Sequence, residues 1–447
     1  ITPLDGIRHE FGSKAKIRYA LGSTYVASWT ALIPEEALTP PQHEKSHGLF
    51  AQYFDNKNFQ GKPRFARVER RGYFDWDMHR PAVSRAFPND GVSLRWSAVL
   101  RVRESGNYAL GLVNPDCDSC DGKSAARLYI DNDLLTQLTS GRYGHRSQTQ
   151  SMHLDAGKAY RLRVDYTQDG HGAGIELVWR PPAAASLHQA VEAARDSDLS
   201  ILCLGLNSHL EGEESPLVIP GFDHGDRTGM HLPEVQEKLL SAILDTGKPV
   251  IVVLMNGSAL AIPAAKDRAQ AILEAWYPGQ AGGTAIADTL AGDNNPAGRL
   301  PLTFYKSIDQ LPPFTDYSMK NRTYRFFTGT PEYPFGYGLS YSDFRYSNIG
   351  VQSQGGGKYR VTATVKNDSA AGGDEVVQLY ASRGQSSGLE LRAFKRIHLA
   401  PGAGAQVAFA IDAARLDGRK FVSIGGGQPL PAFTGNHFVQ TRLPAHP

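Results

Sequence analysis

Three glutamates fall within four positions where an apolar run gives way to a polar loop: Glu211, Glu213 and Glu214, in LGLNSHLEGEESPLVIPGFDHGDRTGMHLPEVQ, residues 204–236. Carboxylates this close repel one another. Repulsion raises a carboxyl pKa, which a general acid working near neutral pH needs. For any one of the three, the residues alone favour a plainer reading: a solvated acidic loop with no chemical role. Pro216, Pro220 and Gly221 suit a defined excursion rather than a helix. Asn207 ends the apolar run as a turn former. Asp226 and Arg227 read as an ion pair fixing the loop's return, and His209 and His224 flank the loop as bystanders.

Other reactive residues are sparse. Cys203 sits in SILCLGL and reads as a small buried hydrophobe. Cys117 and Cys120 form DCDSCDGK, where a zinc site would need two further ligands that the neighbourhood lacks. A local disulfide or two free thiols are both open. Asp116, Asp118 and Asp121 depart from the spacing of a calcium loop. No metal and no cofactor are expected. Asn321 and Asn367 stand in N-x-S/T sequons.

The chain has 447 residues, too many for one ordinary domain. Lys and Arg number 47 against 45 Asp and Glu, and that balance argues against nucleic acid or a charged membrane surface as partner. No apolar run is long enough for a membrane span. The opening ITPLDGIRHEFG has neither an initiator Met nor the layout of a signal peptide. The expectation is a mature or cut piece of a longer product.

The elements that must position the acidic loop follow from hydrophobic period. Residues 1–45 contain a helical start (TPLDGIRHEFG), a short strand (AKIRYALGS) and a helix-like tail. From 46 to 182 the texture is period-two: VSLRWSAVLRV, NYALGLV, ARLYIDN and YRLRVDYTQ alternate between turn residues, as in an antiparallel β-sandwich. From 187, LHQAVEAARDSD reads as a helix and LSILCLGL as a doubly buried strand. LPEVQEKLLSAILDTG is a helix closed by Gly247, and PVIVVLMNG and AILEAWYPGQ bring further buried strands. This β-α-β order implies a parallel sheet with helices on both sides. The acidic loop then leaves the carboxyl end of a parallel strand, where such sheets place their ligands. Trp276 and Tyr277 are expected to pack that sheet. From 345 on, KYRVTATVKN, DEVVQLYAS and AQVAFAID read as an immunoglobulin-like sandwich. The expected fold is therefore an α/β-sandwich domain from 1–45 and 187–344, with an antiparallel β-sandwich inserted at 46–182. A C-terminal immunoglobulin-like β-sandwich follows at 345–447.

Several segments resemble glycoside hydrolase family 3. AWYPGQAGGTAIADTLAGDNNPAGRLPLTFY (275–305) is similar to that family's signature for its α/β-sandwich domain. EYPFGYGLSYSDF (332–344) resembles the segment leading to a fibronectin type III-like domain, and NDSAAGGDEVVQLYAS and ELRAFKRIHLAPG resemble that domain itself. TPLDGIR resembles the start of the α/β domain. GLFAQYFDNKNFQGKP, SLRWSAVLRVRESGNYAL, ARLYIDN and LDAGKAYRLRVDYTQ resemble the β-sandwich first seen in anthrax protective antigen, which some family 3 β-glucosidases carry inside the α/β domain.

The resemblance implies a retaining, exo-acting β-glucosidase acting on β-linked oligosaccharides, with a β-xylosidase as the closest rival. A non-catalytic carbohydrate-binding protein is the rival from another class. Retaining enzymes use two carboxyls about 5–5.5 Å apart. The family's Asp nucleophile stands on an N-terminal (β/α)8-type barrel, and nothing here resembles its segment. The expected partner is that barrel polypeptide, and a homo-oligomer stays open. The acid/base comes from a loop of pattern E-x-E-G followed by D-R, which implies Glu213 as acid/base and Glu211 as runner-up. Glu214 takes the place of a small residue and departs from the pattern. Tyr73, Phe74 and Trp76 could stack on a sugar ring, and Trp76 is kept as a substrate-binding candidate, although core packing fits at least two of the three. A secreted or periplasmic, bacterial setting is expected.

Overall fold

The computed structural model describes the chain except residues 42, 75–86, 89, 115–122, 140–145, 170–173, 216, 385–387, 417, 434–436 and 445–447. Trp76, Cys117, Cys120, Asp116, Asp118 and Asp121 lie outside the described residues. Two units result: Ile1–Arg18 with Ser197–Pro447, and Tyr19–Asp196.

In the second unit, two antiparallel sheets share one hydrophobic core. The strand Tyr160–Gln168 shows why these residues pair as they do. Tyr160, Leu162, Val164 and Tyr166 point into the core, while Arg161, Arg163, Asp165 and Thr167 alternate outward. Its register on Val92–Leu100 sets Val164 opposite Trp96, whose ring is fully buried and whose Nε1 donates to Glu69 at 2.8 Å. On the outer face the same register brings Arg95 to Asp165 through two hydrogen bonds, 2.6 and 2.9 Å. Phe74 lies in the core, whereas Tyr73 is 45% exposed.

The boundaries expected from texture move. Ala31–Leu32 pairs with Trp179 and Val178, and Leu38–Thr39 pairs with Leu100 and Val99, so these residues belong to the sheets of the β unit. The helix Ala183–Arg195 falls in the same unit. The stretch AKIRYALGS forms no strand, and the expected helix-like tail is a single 3-10 turn at Glu35–Ala37.

In the first unit, Ser200–Gly205, Val250–Met255 and Ala271–Glu274 form a three-stranded parallel sheet in that order. The helix Glu234–Leu244 links the first strand to the second, and Pro263–Arg268 links the second to the third. Gly247, at φ 71, turns the chain out of the first of these helices as its sequence position demands. Cys203 differs from expectation. Leu202 and Leu204 point to the buried face, so alternation turns Cys203 to the other, where it is exposed. The helix Pro3–Phe11 opens with a capping box from Thr2 and Asp5. It crosses Gly282–Ala291 at backbone contact: a Cβ on Gly6 would lie 2.0 Å from the Gly283 carbonyl oxygen.

The strands from Phe344 onward form sheets of three and four strands around their own core, within the same unit as the parallel sheet. Their tie to the preceding segment is polar and buried. Gln378 donates to the carbonyls of Gly336 and Gly426, and Gln428 to that of Phe335. Arg299 reaches Glu375 at 2.7 Å. Asn367 is fully buried, its amide donating to the carbonyls of Ala371 and Leu399, so its sequon is closed to a glycan in the fold.

Candidate active site

The three parallel strands deliver their following loops to one place. After the first strand, Asn207 turns the chain as expected: its Oδ1 accepts from Leu210 N at 3.0 Å. Buried Leu206 and Leu210 pin this turn from beneath. The loop continues through Glu211, Glu213 and Glu214. It then forms a small antiparallel meander, Val218–Ile219, Phe222–Asp223 and Asp226–Arg227, turning at Gly221 and Gly225, both at φ 89. The meander closes back on the loop. A Cβ at Gly225 would stand 1.7 Å from the Gly212 carbonyl oxygen, so only glycine permits this approach.

The three glutamates have different fates. Glu211 is half-buried and its carboxylate is fully engaged. Oε1 accepts from the Ser258 hydroxyl, and Oε2 accepts from the Tyr277 hydroxyl and from Gly257 N at 3.3 Å. Ser258 and Gly257 follow the second strand, and Tyr277 follows the third. Glu213 is exposed and makes no hydrogen bond or ion pair among the described residues. Glu214 adopts φ 51, a left-handed conformation that favours glycine. That is a physical reason for a small residue in the resembling pattern at this position.

Arg227 does not pair with Asp226. The two are neighbours in one strand, so their side chains leave on opposite faces. Arg227 turns inward instead and donates to Ser258 Oγ at 2.9 Å and to the Ala259 carbonyl at 2.7 Å. Burial lowers the pKa of its guanidinium, and the nearby charge of Glu211 opposes that shift. Tyr277 is 44% exposed, and its hydroxyl donates to Glu211. Trp276 sits edge-on to Phe304, with ring centroids 6.0 Å apart. His224 contacts Asp223 through Nδ1 at 2.8 Å.

Beneath this cluster lies a second carboxyl that sequence reading passed over. Glu274 ends the third strand, accepting from Trp276 N at 3.2 Å and facing the Asn256 amide at 3.5 Å. Asn256 is fully buried and also donates to the Ser258 carbonyl at 2.8 Å. Burial pushes Glu274 up to about 7 from an ordinary 4.5. A carboxyl whose pKa is raised on folding stabilises the fold fully only below its unfolded value, and loses that contribution as pH rises through the folded one. Stability should therefore fall between pH 4.5 and 7, by on the order of 3 kcal/mol. Glu274→Gln should flatten this dependence and be the more stable protein at pH 8. Urea unfolding of both proteins at pH 5 and pH 8 checks it, and an unchanged pH dependence in the variant would refute it.

The signal that could have found Ser258, Tyr277 and Glu274 was their place. MNGS and EAWY stand at the carboxyl ends of the second and third parallel strands, beside the end that carries the acidic loop.

Comparison with known proteins agrees with this architecture. A model of the glycosyl hydrolase family 3 C-terminal domain matches residues 1–341, and one of the fibronectin type III-like domain matches residues 375–417. The chain belongs to glycoside hydrolase family 3. A xylan 1,4-beta-xylosidase of Xylanibacter ruminicola is 30% identical over 409 residues, covering 90% of this chain and 46% of the relative. A beta-glucosidase of Rhizobium radiobacter is 29% identical, covering 90% of this chain and 50% of its own length. A periplasmic beta-glucosidase of Salmonella typhimurium is 36% identical over 247 residues, which are 51% of this chain and 31% of the relative. The chain thus spans about half the length of the first two. The crystal structure of a beta-glucosidase from Kluyveromyces marxianus in complex with glucose superposes with a TM-score of 0.63 at 23% identity, covering 99% of this chain and 55% of that one. At that identity the likeness speaks to the fold.

Proposed function

We propose that this chain supplies the general acid/base of a retaining, exo-acting β-glucosidase, with Glu213 as the group. The observation that carries the reading is the division of labour between two neighbouring carboxylates. Glu211 is consumed by three donors, while Glu213, two residues on, is exposed and unengaged at the carboxyl end of the parallel sheet. An Asp on an N-terminal barrel attacks the anomeric carbon as Glu213 gives its proton to the leaving oxygen. The glycosidic C–O bond breaks and a glycosyl-Asp ester forms. Glu213, now a carboxylate, takes a proton from water as that water cleaves the ester, which returns both carboxyls to their starting states with retained configuration. The β unit is the inserted protective-antigen-type sandwich of this architecture, and the setting is secreted or periplasmic, as the name of the Salmonella relative supports.

A β-xylosidase is the second reading, favoured by the relative from Xylanibacter ruminicola. Aryl β-glucoside and aryl β-xyloside, assayed with this chain alone and joined to a family 3 barrel, test both readings. The expected result is no turnover by the chain alone and preferential glucoside hydrolysis with the barrel. Preference for xyloside would move the substrate to the second reading. Sugar binding by the chain alone, with no hydrolysis in the presence of the barrel, would replace an enzyme with a carbohydrate-binding protein.

A further inference from the structure

We propose that Glu211 is a positioning residue: its carboxylate is the fixed post from which the loop bearing Glu213 is hung. The proposal rests on the reading of Glu213 as the acid/base and adds what holds that group in place. Glu213 has no partner of its own among the described residues, so its location is set by the backbone on either side. That backbone is fixed at the two residues before it. The Glu211 side chain is gripped by Ser258, Gly257 and Tyr277, and the Gly212 carbonyl lies against Gly225 of the returning meander.

Three features make the grip specific. The donors come from two strand ends other than the one carrying the loop, so the carboxylate joins all three carboxyl ends of the sheet. Ser258 is itself oriented, because its hydroxyl accepts from Arg227 Nη1 while donating to Glu211, and its carbonyl is held by Asn256. The space is also full. A Cβ at Gly257 would come within 2.7 Å of the Tyr277 ring and 3.1 Å of Glu211 Oε2. A carboxylate oxygen accepts hydrogen bonds, and three donors are aimed at the two oxygens of Glu211. Glu211 is therefore held still by its contacts, which suits an anchor.

The test has two arms. Amide hydrogen exchange on the chain as it stands decides the proposal. Glu211→Gln should speed exchange across residues 207–227 by roughly ten-fold or more, because a charge-assisted acceptor is lost. Tyr277→Phe, which keeps the ring and removes one donor, should speed it less and over the same residues, while the rest of the parallel sheet stays protected. Glu213→Gln should leave exchange unchanged. Unaltered exchange in both Glu211→Gln and Tyr277→Phe would overturn the proposal, as would loosening of the loop by Glu213→Gln. The second arm, the pH profile of kcat/KM with a barrel attached, decides the underlying reading. Glu211→Gln should lower the plateau and keep the basic limb, and Glu213→Gln should abolish that limb. A basic limb lost in Glu211→Gln and kept in Glu213→Gln would sink the reading of Glu213, while the exchange arm still reports on the post.

Discussion

Glu213→Gln, in a protein that includes the barrel, should hydrolyse a β-glucoside with a poor leaving group about 10²–10⁴-fold more slowly than the parent. The size follows from the task. A poorly acidic aglycone cannot depart as an anion, so losing its proton donor removes the whole benefit of general acid catalysis. An activated aryl glucoside departs without help, so its first step should slow far less and its second step, lacking a base for water, should become limiting. Steady-state rates over a series of aglycones check this. The expected signature is a steep dependence on leaving-group acidity in the variant and a shallow one in the parent. Glutamine keeps the shape of the side chain, and Glu213 holds no partner among the described residues, so the fold should be untouched. Equal slopes in the two proteins would mean that the proton comes from elsewhere.

Arg299→Met should cost about 3–5 kcal/mol of stability. The Arg299 and Glu375 side chains are 9% and 2% exposed, and they meet at 2.7 Å. Arg299 also donates to the Gly426 carbonyl at 3.0 Å, and the second oxygen of Glu375 accepts from the Tyr346 hydroxyl at 2.7 Å. Removing the guanidinium leaves a buried carboxylate without its counter-charge. A cavity of about 160 Å³ beside the pair, lined in part by Tyr337, Ser342 and Asp343, admits water. That relief places the expected cost toward 3 kcal/mol. The partner experiment is Arg299→Met with Glu375→Leu, which removes both charges and should recover much of the loss. Urea unfolding of the three proteins measures it. A single variant within 1 kcal/mol of the parent would show that the pair does not bind the C-terminal strands to the segment before them.

Much of the fold was legible where one face of an element is wet and the other dry. The alternation in Tyr160–Gln168 marked a strand because every second residue meets solvent, and Val92–Leu100 alternates likewise from Leu94 on. Period says nothing about strands of two residues. Ala31–Leu32 and Leu38–Thr39 exist only because neighbouring strands offer Trp179 and Leu100 as partners, and that displaced the expected domain boundary. AKIRYALGS shows the converse: a suitable composition without a ladder to join makes no strand. Cys203 was misplaced because a continuous apolar run hides which of its alternate residues faces outward.

The site was half legible. Spacing alone exposed the three glutamates, and strand order placed them at the carboxyl end of a sheet. Which one is held was not readable, because the donors lie 47 and 66 residues further along the chain. They arrive only through the register that sets Ser200 beside Val250 and Val252 beside Ile272. Arg227 was mispaired with Asp226 for a related reason: adjacency in sequence is separation across a strand.

Product analysis in azide tests the central claim most directly. Glu213→Gln and Glu211→Gln, each joined to a barrel, would turn over an activated aryl β-glucoside with azide present. Azide is already an anion and needs no base to attack the glycosyl ester, so it bypasses a missing carboxyl. The account predicts β-glucosyl azide, formed well above the unrescued rate, from Glu213→Gln and none from Glu211→Gln. β-Glucosyl azide from Glu211→Gln with none from Glu213→Gln would contradict it.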